Sequence, residues 1–213
     1  DFQGAVLYQI FPDRFYREGS CDLTGKLEPY WVHDNWDDTP HYLPNEQGEI
    51  LNNDFFGGNL KGIEAKLPYL KSLGVDGIYL NPVCMAFSNH RYDTADYKRV
   101  DPMLGTEADL ANLCQAAHRL GMKVILDGVF SHTGSNSVYF DAKHLFGHGA
   151  VSDPDSPYRS WYDFQRYPDQ YTSWWGIATL PCVNELNDDY LDFIIRGEES
   201  VLAHWLGLGI DGV

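Results

Sequence analysis

A chain of 213 residues, 44% of them hydrophobic and 22% charged, is long enough to bury a sizeable core and ordinary in composition for a globular domain. Its 15 Lys and Arg against 31 Asp and Glu give a formal charge of −16. That balance offers no basic face to nucleic-acid phosphates and is repelled by anionic membrane surfaces, whereas a neutral ligand suits it.

The first element expected is a strand over Ala5 to Phe11 (AVLYQIF), short, nearly continuously apolar, and so typical of a parallel strand covered on both faces. Leu60, Ile63, Leu67 and Leu70 follow helical spacing, with Pro68 expected to open a new turn. A second strand follows over Gly77 to Pro82. Thr106, with Asp109 three residues on, caps a helix whose apolar stripe is Leu110, Leu113, Cys114, Ala117 and Leu120. The third strand is Lys123 to Phe130. A third helix is expected from about Asp189 to Leu206, with Tyr190, Ile194, Val201, Leu202 and Trp205 facing inward, and a fourth strand begins near Gly209. Leu73-Gly74, Leu120-Gly121 and Leu208-Gly209 each close a helix before an apolar run. The order is α/β with parallel strands.

Between the third strand and third helix lies a long aperiodic stretch, 133–188, rich in Ser, Pro, Gly, Asp and aromatics. A segment of that length inside a compact domain is functional or forms a small subdomain. Aromatics reach 15%, and Trp161, Tyr162, Trp174 and Trp175 in this stretch read mostly as its core, with sugar platforms the alternative. His144 and His148 have a four-residue spacing without an intervening Glu or a helix signal, and read as solvated loop residues. The cysteines at 21, 84, 114 and 182 show no CxxC pair and no metal-like spacing, so they read as reduced, buried thiols. No apolar run approaches a membrane span, and no signal peptide precedes Asp1. A cytoplasmic protein is expected, with secretion left open because the start reads as cut.

Parallel α/β proteins do their chemistry at the C-terminal ends of strands. Those ends carry Asp13 and Arg14; Asn81, followed by His90 to Asp93 and Asp96; and Asp127 to His132. Taken alone, Asp127 reads equally well as a brace for a neighbouring group, and His132 more readily as a hydrogen-bonded loop histidine. No GxGxxG follows the first strand and no Walker loop occurs, which argues against a nucleotide-binding fold.

The motifs settle the choice in combination. DGVFSHTG at 127–134 is similar to a short motif of the α-amylase family of glycoside hydrolases. YQIFPDRF at 8–15, NHRYDTADY at 89–97 and LGMKVILDGVFSH at 120–132 resemble its neopullulanase and cyclomaltodextrinase-like branch, and LPCVNELN at 180–187 resembles a further family motif. The resemblance covers nearly the whole chain in the right order. It implies the N-terminal half of a (β/α)8 TIM barrel: strands one to three with two helices over 1–132, an inserted domain B over 133–188, and helix three with the start of strand four over 189–213. It implies α-glucan hydrolysis or transglycosylation with retention, on α-1,4 linkages of maltooligosaccharides, starch or related glucans, with α-1,6 linkages left open. Tyr92 would stack on the glucosyl ring beside the scissile bond, His132 would hydrogen-bond it, and Asp127 would support that subsite. The attacking carboxylate would follow on strand four and the proton donor on strand five, so neither of that pair is expected within this chain, and the chain alone is expected to be inactive and truncated. Asp13, Asp93 and Asp96 match neither role.

Ser131 stands where the family usually has an Asn that ligates a calcium between barrel and insert. The branch's second calcium stretch is matched only in part by Glu18 to Glu28 and Gly57-Gly58-Asn59. No cofactor or metal is therefore expected, calcium being the one in question. The expected partner is an oligosaccharide or polysaccharide, with no nucleic acid and no membrane; a homodimer is left open for the complete protein. The competing reading is a non-catalytic relative serving as a carbohydrate-binding or scaffold subunit. Such a relative usually loses the sugar contacts, and Tyr92, Asp127 and His132 are all retained.

Overall fold

The computed structural model describes residues 2–213, so Asp1, the start of the expected barrel segment, lies outside the described residues. In chain order the strands are β1 (Leu7–Ile10), β2 (Trp31–Val32), β3 (Asp54–Phe55), β4 (Gly77–Leu80), β5 (Cys84–Ala86), β6 (Thr94–Val100), β7 (Lys123–Leu126), β8 (Phe164–Arg166) and β9 (Gln170–Tyr171). The helices are α1 (Leu60–Ser72), α2 (Glu107–Arg119), α3 (Asp188–Leu191) and α4 (Val201–Gly207).

The three apolar runs become β1, β4 and β7, paired in parallel with β4 in the centre. Leu7 faces Gly77 and Gly77 faces Lys123, so the strands run in step and their C-terminal ends lie together. Strands β4 and β7 end before their apolar runs do, and the residues that follow build the site, whereas β1 loses Ala5 and Val6 at its start. Helices α1 and α2 cover the sheet. Leu60, Ile63, Leu67 and Leu70 of α1 and Leu110, Leu113, Cys114 and Ala117 of α2 are at most 1% exposed, packed on Ile78, Leu80, Val124 and Leu126. Each large aliphatic buried this way contributes about 1.5–3 kcal/mol.

Helix α1 is capped by Asn59, whose Oδ1 accepts the Gly62 N–H, and α2 by the reciprocal Thr106–Asp109 box. Gly74 and Gly121, at φ 84° and 66°, close these helices in the left-handed region. Pro68 does not open a new turn as expected. Helix α1 runs through it. Pro68 lies on the exposed face, where water can satisfy the carbonyl that loses its N–H partner.

Two further expectations are corrected. The single helix over 189–206 is two: α3 runs into a π-helical turn over Asp192–Arg196, closed by the Gly197 N–H on the Asp192 carbonyl, and Ser200 then caps α4. Gly197 is extended, and a Cβ there would stand 2.8 Å from the Asp192 oxygen, so the chain breaks at this residue. Tyr190, Ile194, Val201 and Trp205 are nevertheless buried, as expected of inward positions, while Leu202 is only partly so. Strand β1, expected to be covered on both sides, is exposed at Leu7 (45%) and Tyr8 (40%), because it is an edge of this sheet. On the opposite edge a fourth parallel position begins. The Asp211 N–H donates to the Val124 carbonyl, the Leu126 N–H to Gly212, and Ile125 bridges Gly212 in parallel. The Asp211 carboxylate, 2.8 Å from both Lys123 Nζ and His118 Nε2, pins that segment to β7.

The long stretch after β7 carries the β8–β9 hairpin and a dense aromatic cluster. Phe140 packs on Tyr162, Phe164 and Tyr171, and Trp161 on Tyr139, Tyr190 and Phe193. The antiparallel bridge His132–Cys182 ties it to the segment that follows β7, and Ser173–Pro181 closes it internally. His144 and His148 are exposed loop residues, as expected. All four cysteines are free; Cys114 is fully buried, which pushes its thiol up to about 12, while Cys21, Cys84 and Cys182 are only partly covered. Among the described residues no helix is long and apolar enough to cross a membrane.

Candidate active site

Asp127 is the first residue beyond β7, and its N–H still pairs with the Leu80 carbonyl of β4, which fixes its position. Its half-buried carboxylate accepts the Tyr92 hydroxyl at 2.9 Å. Burial first, and then this carboxylate, push the Tyr92 phenol up to about 12, so it remains a donor. Tyr79 of β4 is shifted upward for the same two reasons, burial and then Asp127. Asn81, one residue past β4, lies 3.4 Å from the Tyr92 hydroxyl and accepts from Gln9 of β1 at 2.8 Å. The ends of all three parallel strands thus meet in one polar row: Gln9, Asn81, Tyr92, Asp127.

Tyr92 comes from the β5–β6 loop, and a buried charge cluster holds that loop. Arg91 is 0% exposed with φ 63°, a strained conformation for a long side chain. Its Nη1 donates to the Asn89 carbonyl at 2.7 Å, and its Nε lies 3.4 Å from Asp101 Oδ2. Lys26 reaches the same oxygen at 2.7 Å. Burial alone would raise the Asp101 carboxyl, but Arg91 and Lys26 together bring it below the ordinary carboxylate range.

His132 is 5% exposed. Its Nε2 lies 3.1 Å from the Tyr92 carbonyl and its Nδ1 3.0 Å from Ser131 Oγ. A carbonyl can only accept, so Nε2 carries the proton and Nδ1 accepts from the serine. Burial holds this imidazole below its ordinary pKa, the Tyr92 carbonyl opposing the shift. Two buried phenols shape the turn that carries it. Tyr97 Oη lies 2.8 and 3.0 Å from the carbonyls of Val129 and His132, and Tyr190 donates to Phe130 at 2.8 Å.

Tyr92, Asp127 and His132 line one open cleft of about 450 Å³, together with Trp174, Glu185 and Ile194. The three residues singled out from the sequence are therefore brought together. The proton of His132 Nε2 already serves the Tyr92 carbonyl, so a ligand hydroxyl that takes it must share or displace that bond. Glu185 lines the cleft as an exposed second carboxylate. Sequence reasoning gave no role to Glu185, Asn81, Gln9, Tyr79 or the Lys26–Asp101–Arg91 cluster. The strand-end rule reaches Asn81; nothing local marks Lys26 as buried. Asp13, also without a role, is a buried brace that accepts the Phe56 and Gly57 N–H groups and lies 2.9 Å from Arg14 Nε. Asp93 likewise ties its own loop by accepting from Phe87 and Ser88. Of the four aromatics read mostly as core, Trp161 and Tyr162 are buried; Trp174 is partly exposed and Trp175 is 85% exposed, so the core reading holds for only two of them.

At the two stretches compared with calcium sites, Ser131 and Asn59 already have partners. Ser131 Oγ serves His132, and its carbonyl takes the Val183 N–H. Asn59 caps α1 with Oδ1 and donates to the Glu18 carbonyl with Nδ2 at 2.9 Å. A Cβ on Gly58 would stand 2.1 Å from the Pro12 carbonyl, so that glycine serves close packing. His33, His41 and Asp54 come within 4.8 Å of one another. Asp54 Oδ2 already accepts from the His41 N–H and faces His33 Nε2, with Arg14 Nη2 3.5 Å away. A cation beside that guanidinium is disfavoured.

Residues 9–192 match the family model described as alpha amylase, catalytic domain. The chain is 40% identical to an amylopullulanase of Thermoanaerobacter thermohydrosulfuricus over 99% of its own length and 16% of that protein. It is 35% identical to an intracellular maltogenic amylase of Bacillus subtilis, over 99% of this chain and 32% of that one. The type III pullulan hydrolase from Thermococcus kodakarensis superposes with a TM-score of 0.79 at 34% identity, covering 98% of this chain and 36% of its own. The chain thus spans a third or less of the length of these two curated relatives.

Proposed function

The chain belongs to the α-amylase family, within its catalytic domain, and from that premise we propose that the protein carrying it hydrolyses or transfers α-glucosidic bonds of maltooligosaccharides, starch or related glucans with retention. The segment corresponds to the first half of the family's (β/α)8 barrel, with strands one to three and the insert that follows them. The observation that carries the reading is the convergence of Tyr92, Asp127 and His132 on one cleft at the strand ends, with Tyr92 Oη 2.9 Å from Asp127.

In this reading the Tyr92 ring offers its face to the axial hydrogens of a glucosyl unit. The Asp127 carboxylate, held by phenol donors, keeps acceptor capacity for a sugar hydroxyl. His132, neutral and with its proton on Nε2, donates to another hydroxyl by sharing or displacing its bond to the Tyr92 carbonyl. The Tyr92 phenol holds Asp127, and the Ser131 hydroxyl and Tyr92 carbonyl hold His132, so these groups are positioned before a ligand arrives. Retention needs a nucleophilic carboxylate and a proton donor. By the family resemblance these come from the fourth and fifth strands, the fourth being the one that begins at the Gly212 bridge to β7. No step is assigned to a metal or cofactor. A cytoplasmic location is part of the proposal, and the ligand is neutral sugar rather than nucleic acid or membrane, in keeping with the charge of −16.

The test is kinetic. In the full-length protein, His132→Ala should lower kcat on maltooligosaccharides by roughly a hundredfold, with a smaller change in KM, because the donor counts most in the transition state. An unchanged kcat rejects the role.

A further inference from the structure

The loop over Trp174–Gly176 presents two indoles in a geometry that folding alone does not explain. The rings of Trp174 and Trp175 are parallel, 4.5 Å apart at 4°. Trp174 lines the cleft and lies 5.6 Å from the His132 ring. Trp175 covers its outer face and is itself 85% exposed. Its backbone sits at φ 51°, a left-handed conformation unfavourable to a large side chain. A residue that buries so little apolar area gains little to offset that strain, and glycine or asparagine would take the position more easily.

The loop is nevertheless firmly built. The Trp174 N–H pairs with the Leu180 carbonyl and the Ile177 N–H with Trp174, and Ser135 reaches back to Thr179. The bridge Ser173–Pro181 closes it, and His132–Cys182 connects the segment just beyond it to the turn that carries His132. Trp174 and Trp175 therefore form a stacked pair beside the His132 ring, which lies tilted at 36° to Trp174, and the pair leads from the cleft to solvent with the outer indole face left open. A flat, rigid, amphipathic surface continuous with a sugar-binding cleft matches the apolar face of a pyranose ring.

We propose that the Trp174–Trp175 stack is an outer glucosyl-binding platform, on which a ring of a longer α-glucan lies once another ring of the same chain occupies the Tyr92–Asp127–His132 cleft. This rests on the reading of the cleft given above. The platform selects for substrate length: short oligosaccharides end before reaching it, and longer ones gain a second stacking contact. The α-glucan chain is the single ligand class that joins both places.

The test compares Trp175→Ala, Trp175→Gly and Trp175→Phe in the full-length protein, using maltotriose and maltoheptaose. The readout is the ratio of kcat/KM for the longer substrate to that for the shorter. Loss of an aromatic stack should lower this ratio by roughly five- to tenfold in Trp175→Ala. Trp175→Gly should lower it equally while melting no earlier than wild type, since glycine accepts the positive φ, and Trp175→Phe should recover much of it. A ratio unchanged in both Trp175→Ala and Trp175→Gly overturns the platform. So does an equal loss on both substrates, which marks a merely structural role. If wild type neither cleaves nor binds any α-glucan, the reading of the cleft itself fails and the platform falls with it; a wild type active on both substrates with insensitive variants removes the platform alone.

Discussion

Replacing Asp101 by Asn isolates the buried cluster that sets the Tyr92 loop. The Asp101 side chain is 0% exposed, as is that of Lys26, and that of Arg91 is 1% exposed. One carboxylate faces two cations and also accepts the N–H groups of Ala86 and Met103. Asparagine keeps the shape but removes the charge, leaving an ammonium and a guanidinium buried together without a counter-ion between them. Removing one partner of a buried pair costs about 3–5 kcal/mol. At about 2–4 °C per kcal/mol for a domain of this size, the melting temperature should fall by about 6–20 °C. Burial already holds the Lys26 ammonium below its ordinary value, despite Asp101. In the variant, Lys26 should release its proton more easily still, so the penalty shrinks in alkali. The acid side follows from Asp101 itself. Its folded pKa is depressed, so its contribution is fully present above the unfolded value of about 3.9 and is lost as pH falls through the folded value. Wild type and variant should therefore also converge in that acid range. Urea and thermal melts across pH measure this directly. A loss below about 1 kcal/mol at pH 7 would refute the idea that the cluster is both dry and charge-paired.

Tyr92→Phe keeps the ring and removes the donor to Asp127. Hydrogen bonds to charged groups are worth about 1.5–3 kcal/mol, so kcat/KM should drop about ten- to a hundredfold, and an unchanged value would show that the phenol is idle. His132 has a lowered folded pKa, so the folded protein resists a proton that the unfolded chain accepts; stability should decline as pH falls below about 6.5. Melts of His132→Gln between pH 7.5 and 5.5 should show a shallower decline than wild type, and parallel curves would count against a buried neutral imidazole. Addition of a chelator should move the melting temperature by no more than a degree or so, because the oxygens of Ser131 and Asn59 are already engaged; a large fall, restored by calcium, would show a cation there.

The sequence made the parallel layer and its helices legible because their signals are local. Capping residues, Leu-Gly closures and apolar stripes recur at fixed spacings, and Thr106–Asp109 behaves as the spacing implies. Tyr92, Asp127 and His132 were legible only through the motif resemblance, since each alone reads as an ordinary hydrogen-bonded residue. What escaped depends on contacts distant in sequence. Lys26 meets Asp101 across 75 positions and Asn89 meets Asp54 across 35. The break at Gly197 was hidden because Ile194 and Val201 preserve an inward pattern on either side of it. Trp174 and Trp175 were misread because an aromatic-rich insert does have an aromatic core, built from Phe140, Trp161 and Tyr162, and composition cannot distinguish a core ring from a displayed one.

Tyr92, Asp127 and His132 are expected to hold a glucosyl ring together. A crystal structure of the full-length protein with a bound maltooligosaccharide tests it most directly. A pyranose ring should lie in van der Waals contact with the Tyr92 face, with hydroxyls hydrogen-bonded to Asp127 and to His132 Nε2. A sugar bound elsewhere, with this cleft holding only water, would contradict it.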